Sequence, residues 1–215
     1  MIETTTDRNI FRLLERGLRE RNIGLNSCLD VGCGMNPLDE WFRKNAATPD
    51  APYHAIDAHP AVKQGLAARG IKVMTPWDVP ANFNSDLVIA TEVIEHVPKD
   101  DIANFVSTLN QWTGKVLALT CPNFADFDVN RKLAKNKELR FVPDHLVDFN
   151  AQSTEPNIHK TETTPGMLLD ALQKGFPAPE WSVTVYKAWP WLLADIPAGR
   201  SYLIYFKLFA LVWRN

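Results

Sequence analysis

The apolar positions of this chain come in short runs that alternate with helical periods. Residues 7–21 place Ile10, Leu13, Leu14 and Leu18 on one face of an amphipathic helix, and Gly24 stands past its end as a stop. Residues 27–31 read as a short strand, followed by the tight turn Gly32-Cys33-Gly34 and a helix over 38–45 with Pro37 near its first turn. The rhythm repeats with a strand at 53–56, a helix at 60–69 closed by Gly70, a strand at 71–74, and a strand at 86–91 apolar enough for burial on both faces. The clearest helix covers 100–112, where Ile102, Phe105, Val106 and Leu109 recur at i, i+3, i+4 and i+7, and Gly114 ends it. A fifth strand spans 115–120. Residues 165–174 form a helix with Thr164 as N-cap and Pro165 at the first position. Two final strands, 181–188 and 202–213, are joined by a connection holding Trp189, Trp191, Leu192 and Leu193.

Short apolar strands alternating with helices predict stacked βα units and a mostly parallel sheet, an α/β protein. The segment from Cys121 to Thr163 breaks that rhythm. Long irregular segments in compact domains are often functional, so 124–163 is expected to cover a site as a lid. Within it, Arg131, Lys132, Lys135, Lys137 and Arg140 form a basic run, read as a solvated helix face that can also attract an anionic ligand.

Composition narrows the class. The chain has 215 residues, 46% hydrophobic and 22% charged, which suits one globular domain over 1–215 and excludes a disordered or fibrous chain. With 23 basic against 25 acidic residues, wholesale electrostatic binding to duplex nucleic acid is not expected. Cys28, Cys33 and Cys121 have no paired CxxC spacing, so neither a zinc ribbon nor a disulfide framework is indicated, and a reducing cytoplasm is the expected location. The polar start has no signal-peptide core. The longest apolar-rich stretch, 202–213, is too short to span a bilayer as a helix.

The sharpest local feature is Leu29-Asp30-Val31-Gly32-Cys33-Gly34, after a strand and before a helix. Glycines there let backbone approach a ligand and place amides at a helix N-terminus. Asp57, at the end of the next strand, is placed to accept hydrogen bonds from ribose hydroxyls. A turn glycine pair with a surface Asp is the plain alternative. A dinucleotide fingerprint needs a glycine where Pro37 stands.

The series resembles the class I S-adenosyl-L-methionine-dependent methyltransferases. Asp30-Val-Gly-Cys-Gly is similar to their motif I, and Asn36 stands at the family's third glycine. Glu92-Val-Ile-Glu95-His96 resembles the ExxEH segment after strand 4, and Thr120-Cys121-Pro122-Asn123 the end of strand 5. The resemblance implies a three-layer αβα sandwich. Its seven-stranded mixed sheet has the order 3-2-1-4-5-7-6, counted along the chain, with strand 7 antiparallel. It implies S-adenosyl-L-methionine held by Asp30, Gly32, Cys33, Gly34, Asp57, Asp78 and Thr91, with Asp78 near the adenine.

On the acceptor side, Glu95, His96 and His159 are the candidate catalytic residues. Glu92, Glu95 and His96 at i, i+3 and i+4 would share one side of a helical turn. With His159 they also resemble the metal-ligating set of the small-RNA 3′-terminal 2′-O-methyltransferases. In that group the later His opens a segment like HxFEWT, whereas here it is HKTETT, without the aromatics. His145 is a weaker candidate, and His54 and His59 flank the second strand as incidental neighbours. The expected activity is O-methylation of a small metabolite, sugar or hydroxylated aromatic. The alternatives are metal-assisted methylation of an RNA end using a divalent ion, and a scaffold that binds the cofactor without catalysis.

Overall fold

The structure is a computed structural model that describes residues 1–7, 9–125, 158–195 and 200–215. Its strands are β1 (Ile2–Thr4), β2 (Cys28–Val31), β3 (Tyr53–Ile56), β4 (Val73–Met74), β5 (Ser85–Thr91), β6 (Thr113–Pro122), β7 (Trp181–Asp195) and β8 (Arg200–Arg214). Its α-helices are α1 (Ile10–Arg21), α2 (Asp39–Asn45), α3 (Pro60–Ala67), α4 (Ile102–Trp112) and α5 (Pro165–Gly175).

All eight strands join one sheet in the order β1-β7-β8-β6-β5-β2-β3-β4. The expected count was seven. The additional strand is β1, which pairs parallel with β7 through Ile2↔Val185 and Thr4↔Lys187 and extends the sheet at that edge. Its residues are exposed and polar apart from Ile2, so no apolar pattern announces it. β8 runs antiparallel to both β6 and β7, while β2 pairs parallel with β3 and β5. The direction in which successive strands are added reverses between β2 and β5, and ligands of open α/β sheets lie beyond the strand ends at such a switch.

Two apolar layers sandwich the sheet. On one face, Ile10, Leu13, Leu14 and Leu18 of α1 and Phe42 of α2 pack on Cys28, Leu87, Ile89, Val116 and Ala118. On the other, Val106 and Leu109 of α4 and Leu168 and Leu172 of α5 pack on Leu29, Val88, Ala90, Leu117 and Leu119. Consecutive strand residues thus feed opposite layers, so these central strands are apolar throughout.

Several boundaries differ from the pattern. α1 starts at Ile10 because Asn9 caps it, accepting from the Phe11 amide at 2.9 Å. It ends at Asn22 (φ 53°) rather than at Gly24, since Asn tolerates the left-handed region. The periodic helix over 100–112 begins as a short 3-10 turn, Lys99–Asp101. The expected Pro- and Trp-rich connection is instead strand: β7 continues through Trp189 and Trp191 to Asp195, paired with Arg200. Thr164 caps α5 as expected, accepting from Met167 N at 3.3 Å.

Candidate active site

The glycine turn follows β2, where Asp30 is 1% exposed. Its Oδ2 accepts from the Leu38 amide at 3.0 Å and from the Tyr53 hydroxyl at 2.5 Å. These bonds tie the segment 32–38 back onto the sheet. Oδ1 is buried without a hydrogen-bond partner among the described residues. Burial pushes the Asp30 carboxyl above its ordinary pKa, against the lowering effect of those two bonds.

Gly32 and Gly34 both have positive φ, 66° and 54°. A Cβ on Gly32 would stand 2.4 Å from Val93 Cγ2, whereas one on Gly34 would meet nothing within 4 Å. Gly32 is thus fixed by packing, and Gly34 borders open space. The Gly32 and Cys33 amides donate to the Ile56 carbonyl at 2.8 and 3.1 Å. The Gly34 amide donates to Asp57 Oδ2 at 3.0 Å, and the His59 amide donates to Asp57 Oδ1 at 2.8 Å. Asp57 is therefore held rigidly at the end of β3.

Two cavities flank this turn. The larger encloses about 720 Å³ and is lined by Gly32, Asp57, His59, Pro76, Val93, His96 and Phe105, among others. The smaller encloses about 330 Å³ and is lined by Asn9, Asp30, Cys33, Asn36, Thr91, Thr120, Trp189 and Lys207, among others. Glu92 lines both. It follows β5 with φ 56°, its amide donates to the Thr120 carbonyl at 2.9 Å, and its Oε1 accepts from Thr120 Oγ1 at 2.8 Å. Its Oε2 forms an ion pair with Lys207.

A 3-10 turn, Ile94–His96, then carries Glu95 into the interior, 1% exposed. Neither Glu95 carboxylate oxygen has a hydrogen-bond partner among the described residues. Burial, then the nearby Glu92, push its pKa well up, while Lys207 opposes them. Its backbone carbonyl accepts from Lys160 N at 2.7 Å and Thr161 N at 3.0 Å, which brings His159 alongside. The His96 and His159 rings lie 5.1 Å apart, and Phe124 packs edge-on to His159 at 5.6 Å. His96 Nδ1 lies 3.2 Å from the Ile158 carbonyl oxygen. One potential ligand atom from each of Glu95, His96 and His159 lies within 4.8 Å of the others.

Of the four groups in the alternative metal-ligating set, three converge. Glu92 is not in that cluster: its left-handed backbone leaves the helical path, and Lys207 and Thr120 claim both its oxygens.

Asp78 is exposed and caps the turn Pro76–Asp78, accepting from Thr75 N at 3.0 Å and Thr75 Oγ1 at 2.7 Å. Those bonds hold its pKa below the usual carboxylate range. It reaches the larger cavity only through that turn, whose Pro76 lines the wall. Cys33 is buried and its thiol is pushed up to about 12 by burial, so it is no nucleophile at neutral pH. His59 caps α3, its Nδ1 accepting from the Ala61 amide at 3.2 Å, and His54 packs edge-on to Phe83. His145, the basic run Arg131–Arg140 and most of the expected lid lie outside the described residues.

Sequence reasoning missed Tyr53, Thr120 as a partner of Glu92, Trp189 and Lys207. Lys207 carried one signal, as the lone charge in an apolar stretch.

No protein-family model matches the sequence, and no curated protein matches it. Solved structures do. A SAM-dependent methyltransferase from Archaeoglobus fulgidus is 15% identical with a TM-score of 0.58, over 95% of this chain and 94% of that one. The plantazolicin methyltransferase BamL, solved with a triazolic desmethylPZN analog and S-adenosylhomocysteine, is 12% identical with a TM-score of 0.60, over 96% and 83%. A chain of the Pnkp1/Rnl/Hen1 RNA repair complex is 17% identical with a TM-score of 0.57. There the match covers 99% of this chain but 43% of the other. The fold is that of the class I S-adenosylmethionine-dependent methyltransferases. Among the described residues, no helix is long and apolar enough to cross a membrane.

Proposed function

We propose that this protein is an S-adenosylmethionine-dependent O-methyltransferase acting on a small hydroxylated acceptor. The observation that carries this reading is the junction of two cavities at Glu92, beside the glycine turn and beyond the strand ends. The residues suit the cofactor. Asp57 lines the larger cavity with its carboxylate fixed by two amides, Gly34 borders open space, and Asp30 holds a buried acceptor atom without a partner. Asp57 would take the ribose hydroxyls. Gly32, Cys33 and Gly34 would let backbone approach the cofactor's centre, and Asp30 with Thr91 would face its amino-acid end. Asp78 contributes through the turn it caps.

When bound, the cofactor supplies an electrophilic methyl group on a sulfonium. The chain must align the acceptor oxygen and take its proton. His96 is the candidate base. With a proton on Nδ1 donated to the Ile158 carbonyl, Nε2 keeps its lone pair for the acceptor hydroxyl. His159 stands beside it. Burial favours the neutral acid form of Glu95, which then presents an O–H donor inside the same cluster.

A second reading has its own observation: the convergence of Glu95, His96 and His159. A mixed carboxylate and imidazole set fits a divalent ion such as Mg or Mn, which would supply Lewis acidity toward an alcohol. The likeness to a chain of an RNA repair complex favours an RNA end as acceptor in that case.

The test is calorimetric binding of S-adenosylhomocysteine, followed by transfer of label from methyl-labelled S-adenosylmethionine into a fractionated cell extract. Label in the small-molecule fraction supports the first reading. Nuclease-sensitive label in RNA replaces it with the second. Binding without transfer to any fraction leaves a scaffold, and absence of binding overturns all three.

A further inference from the structure

The smaller cavity has a wall that the mechanism above leaves unused. The C-terminal hairpin builds it from Trp189 of β7 and from Lys207 and Phe209 of β8. The Trp189 indole N–H is enclosed and has no hydrogen-bond partner among the described residues. Buried donors are nearly always satisfied, so an orphaned one on a residue that lines a cavity marks a place for an acceptor atom. Lys207 is 17% exposed and pairs with Glu92. An ammonium carries three donors, so one carboxylate partner leaves donors to spare.

The backbone singles out the same place. Three non-glycine residues have positive φ among those described: Asn22, Glu92 and Trp189. Asn22 is a helix cap. Glu92 and Trp189, at 56° and 59°, have no capping role, and both line this cavity. Strain of this kind persists where the surroundings hold a residue for a purpose.

The donors define the ligand. Trp189 Nε1 and Lys207 Nζ only donate, and Phe209 adds an apolar surface. A group lodged between them must accept hydrogen bonds, and the lysine favours one that is negatively charged. The opposite wall has the reverse character, since Asp30 offers an acceptor without a partner among the described residues. Position then assigns the wall. β8 lies two strands beyond β5, about 10 Å, on the side away from the glycine turn and Asp57.

We propose that Trp189 and Lys207 form an acceptor subsite for an anionic oxygen group, a carboxylate or a phosphate. The methyl acceptor is then a small hydroxylated acid or phosphate ester. This assignment rests on the methyltransferase reading above. Glu92 and the incoming anion share the Lys207 ammonium, and no covalent step is involved.

The test uses the full chain labelled with nitrogen-15. The Trp189 indole cross-peak is identified by its loss in Trp189→Phe. Inorganic phosphate and, separately, acetate are titrated at constant ionic strength. The expected result is a saturable shift of that peak. Lys207→Met weakens the response about tenfold or more, and Lys207→Arg retains most of it. The stronger of the two anions tells a phosphate ester from a carboxylic acid. No shift with either anion overturns the proposal, as does a shift that Lys207→Met leaves unchanged. S-adenosylhomocysteine affinity, measured on the same variants, is expected to stay near the wild-type value. A loss of about tenfold in Lys207→Met would give this wall to the cofactor's own carboxylate and overturn the acceptor assignment. If the wild type shows the anion shift but binds no S-adenosylhomocysteine, the methyltransferase reading falls and the anion site stands.

Discussion

Replacing Gly32 by Ala imposes two penalties on the glycine turn, and the structure separates them. At φ 66° an L side chain enters the left-handed region, which costs about 1–2 kcal/mol. The new Cβ would also stand 2.4 Å from Val93 Cγ2, a separation that real Cβ atoms do not show. Val93 is β-branched and stiff about χ1, so it yields poorly, and overpacking adds about 1–3 kcal/mol. The sum is about 2–5 kcal/mol, or about 4–20 °C in melting temperature for a chain of this size. Gly34→Ala is the control. Its φ is 54° but its Cβ meets nothing within 4 Å, so only the backbone penalty of about 1–2 kcal/mol applies. Val93→Ala in the Gly32→Ala background should relieve the overpacking alone, giving a coupling energy of about 1–3 kcal/mol. Urea unfolding of these three variants, of Val93→Ala alone and of the wild type measures each quantity. Equal losses for Gly32→Ala and Gly34→Ala, or a coupling energy near zero, would refute the claim that Val93 packing fixes this turn.

Tyr53→Phe removes the 2.5 Å donor from the buried Asp30 carboxylate and should cost about 1–3 kcal/mol in urea unfolding, with a smaller loss in an Asp30→Asn background. Because burial raises the Asp30 pKa, the folded state holds that proton more tightly than the unfolded chain. The stability this confers is present below the unfolded value, about 3.9, and is lost as pH rises through the folded value. Asp30→Asn should therefore gain on the wild type as pH climbs from about 4, and a constant difference across pH would count against the raised value. If Glu95, His96 and His159 hold a divalent ion, Mn at about 100 times its Kd should stabilise the wild type by about 2.7 kcal/mol. A thermal shift would read this, and both EDTA and His159→Ala should erase it.

How much of this was legible in the sequence differs from element to element. The α1 and α4 faces were legible because Ile10, Leu13, Leu14 and Leu18, and Ile102, Val106 and Leu109, are all buried as their spacing requires. The glycine turn and Asp57 were legible because strand, turn and strand end are local and their order is fixed by the chain. β1 was not, since Ile2-Glu3-Thr4 has no apolar alternation and is a strand only because the β7 edge offers it partners. Tyr53 was missed for the same kind of reason. Its hydroxyl reaches Asp30 through the register Cys28↔Tyr53 and Asp30↔Ala55, which places both side chains on one sheet face. Nothing in either strand alone states that register.

Glu92 shows where spacing arguments stop. Residues at i, i+3 and i+4 share a face only while every intervening backbone is helical. Glu92 takes φ 56°, so the count from Glu92 to Glu95 and His96 starts from a residue outside the turn. Its partners come from β6 and β8, in the form of Thr120 and Lys207, which lie 28 and 115 positions away along the chain. The pair with Lys207 then has two effects. It keeps one carboxylate off the cluster of Glu95, His96 and His159, so that cluster has three groups rather than four. It also holds a lysine at the edge of a cavity where a second hairpin residue, Trp189, has a donor to offer. The cluster proposed to act on an acceptor hydroxyl and the wall proposed to select the acceptor's charge are therefore linked through one ion pair. Substitution at Lys207 should change both at once.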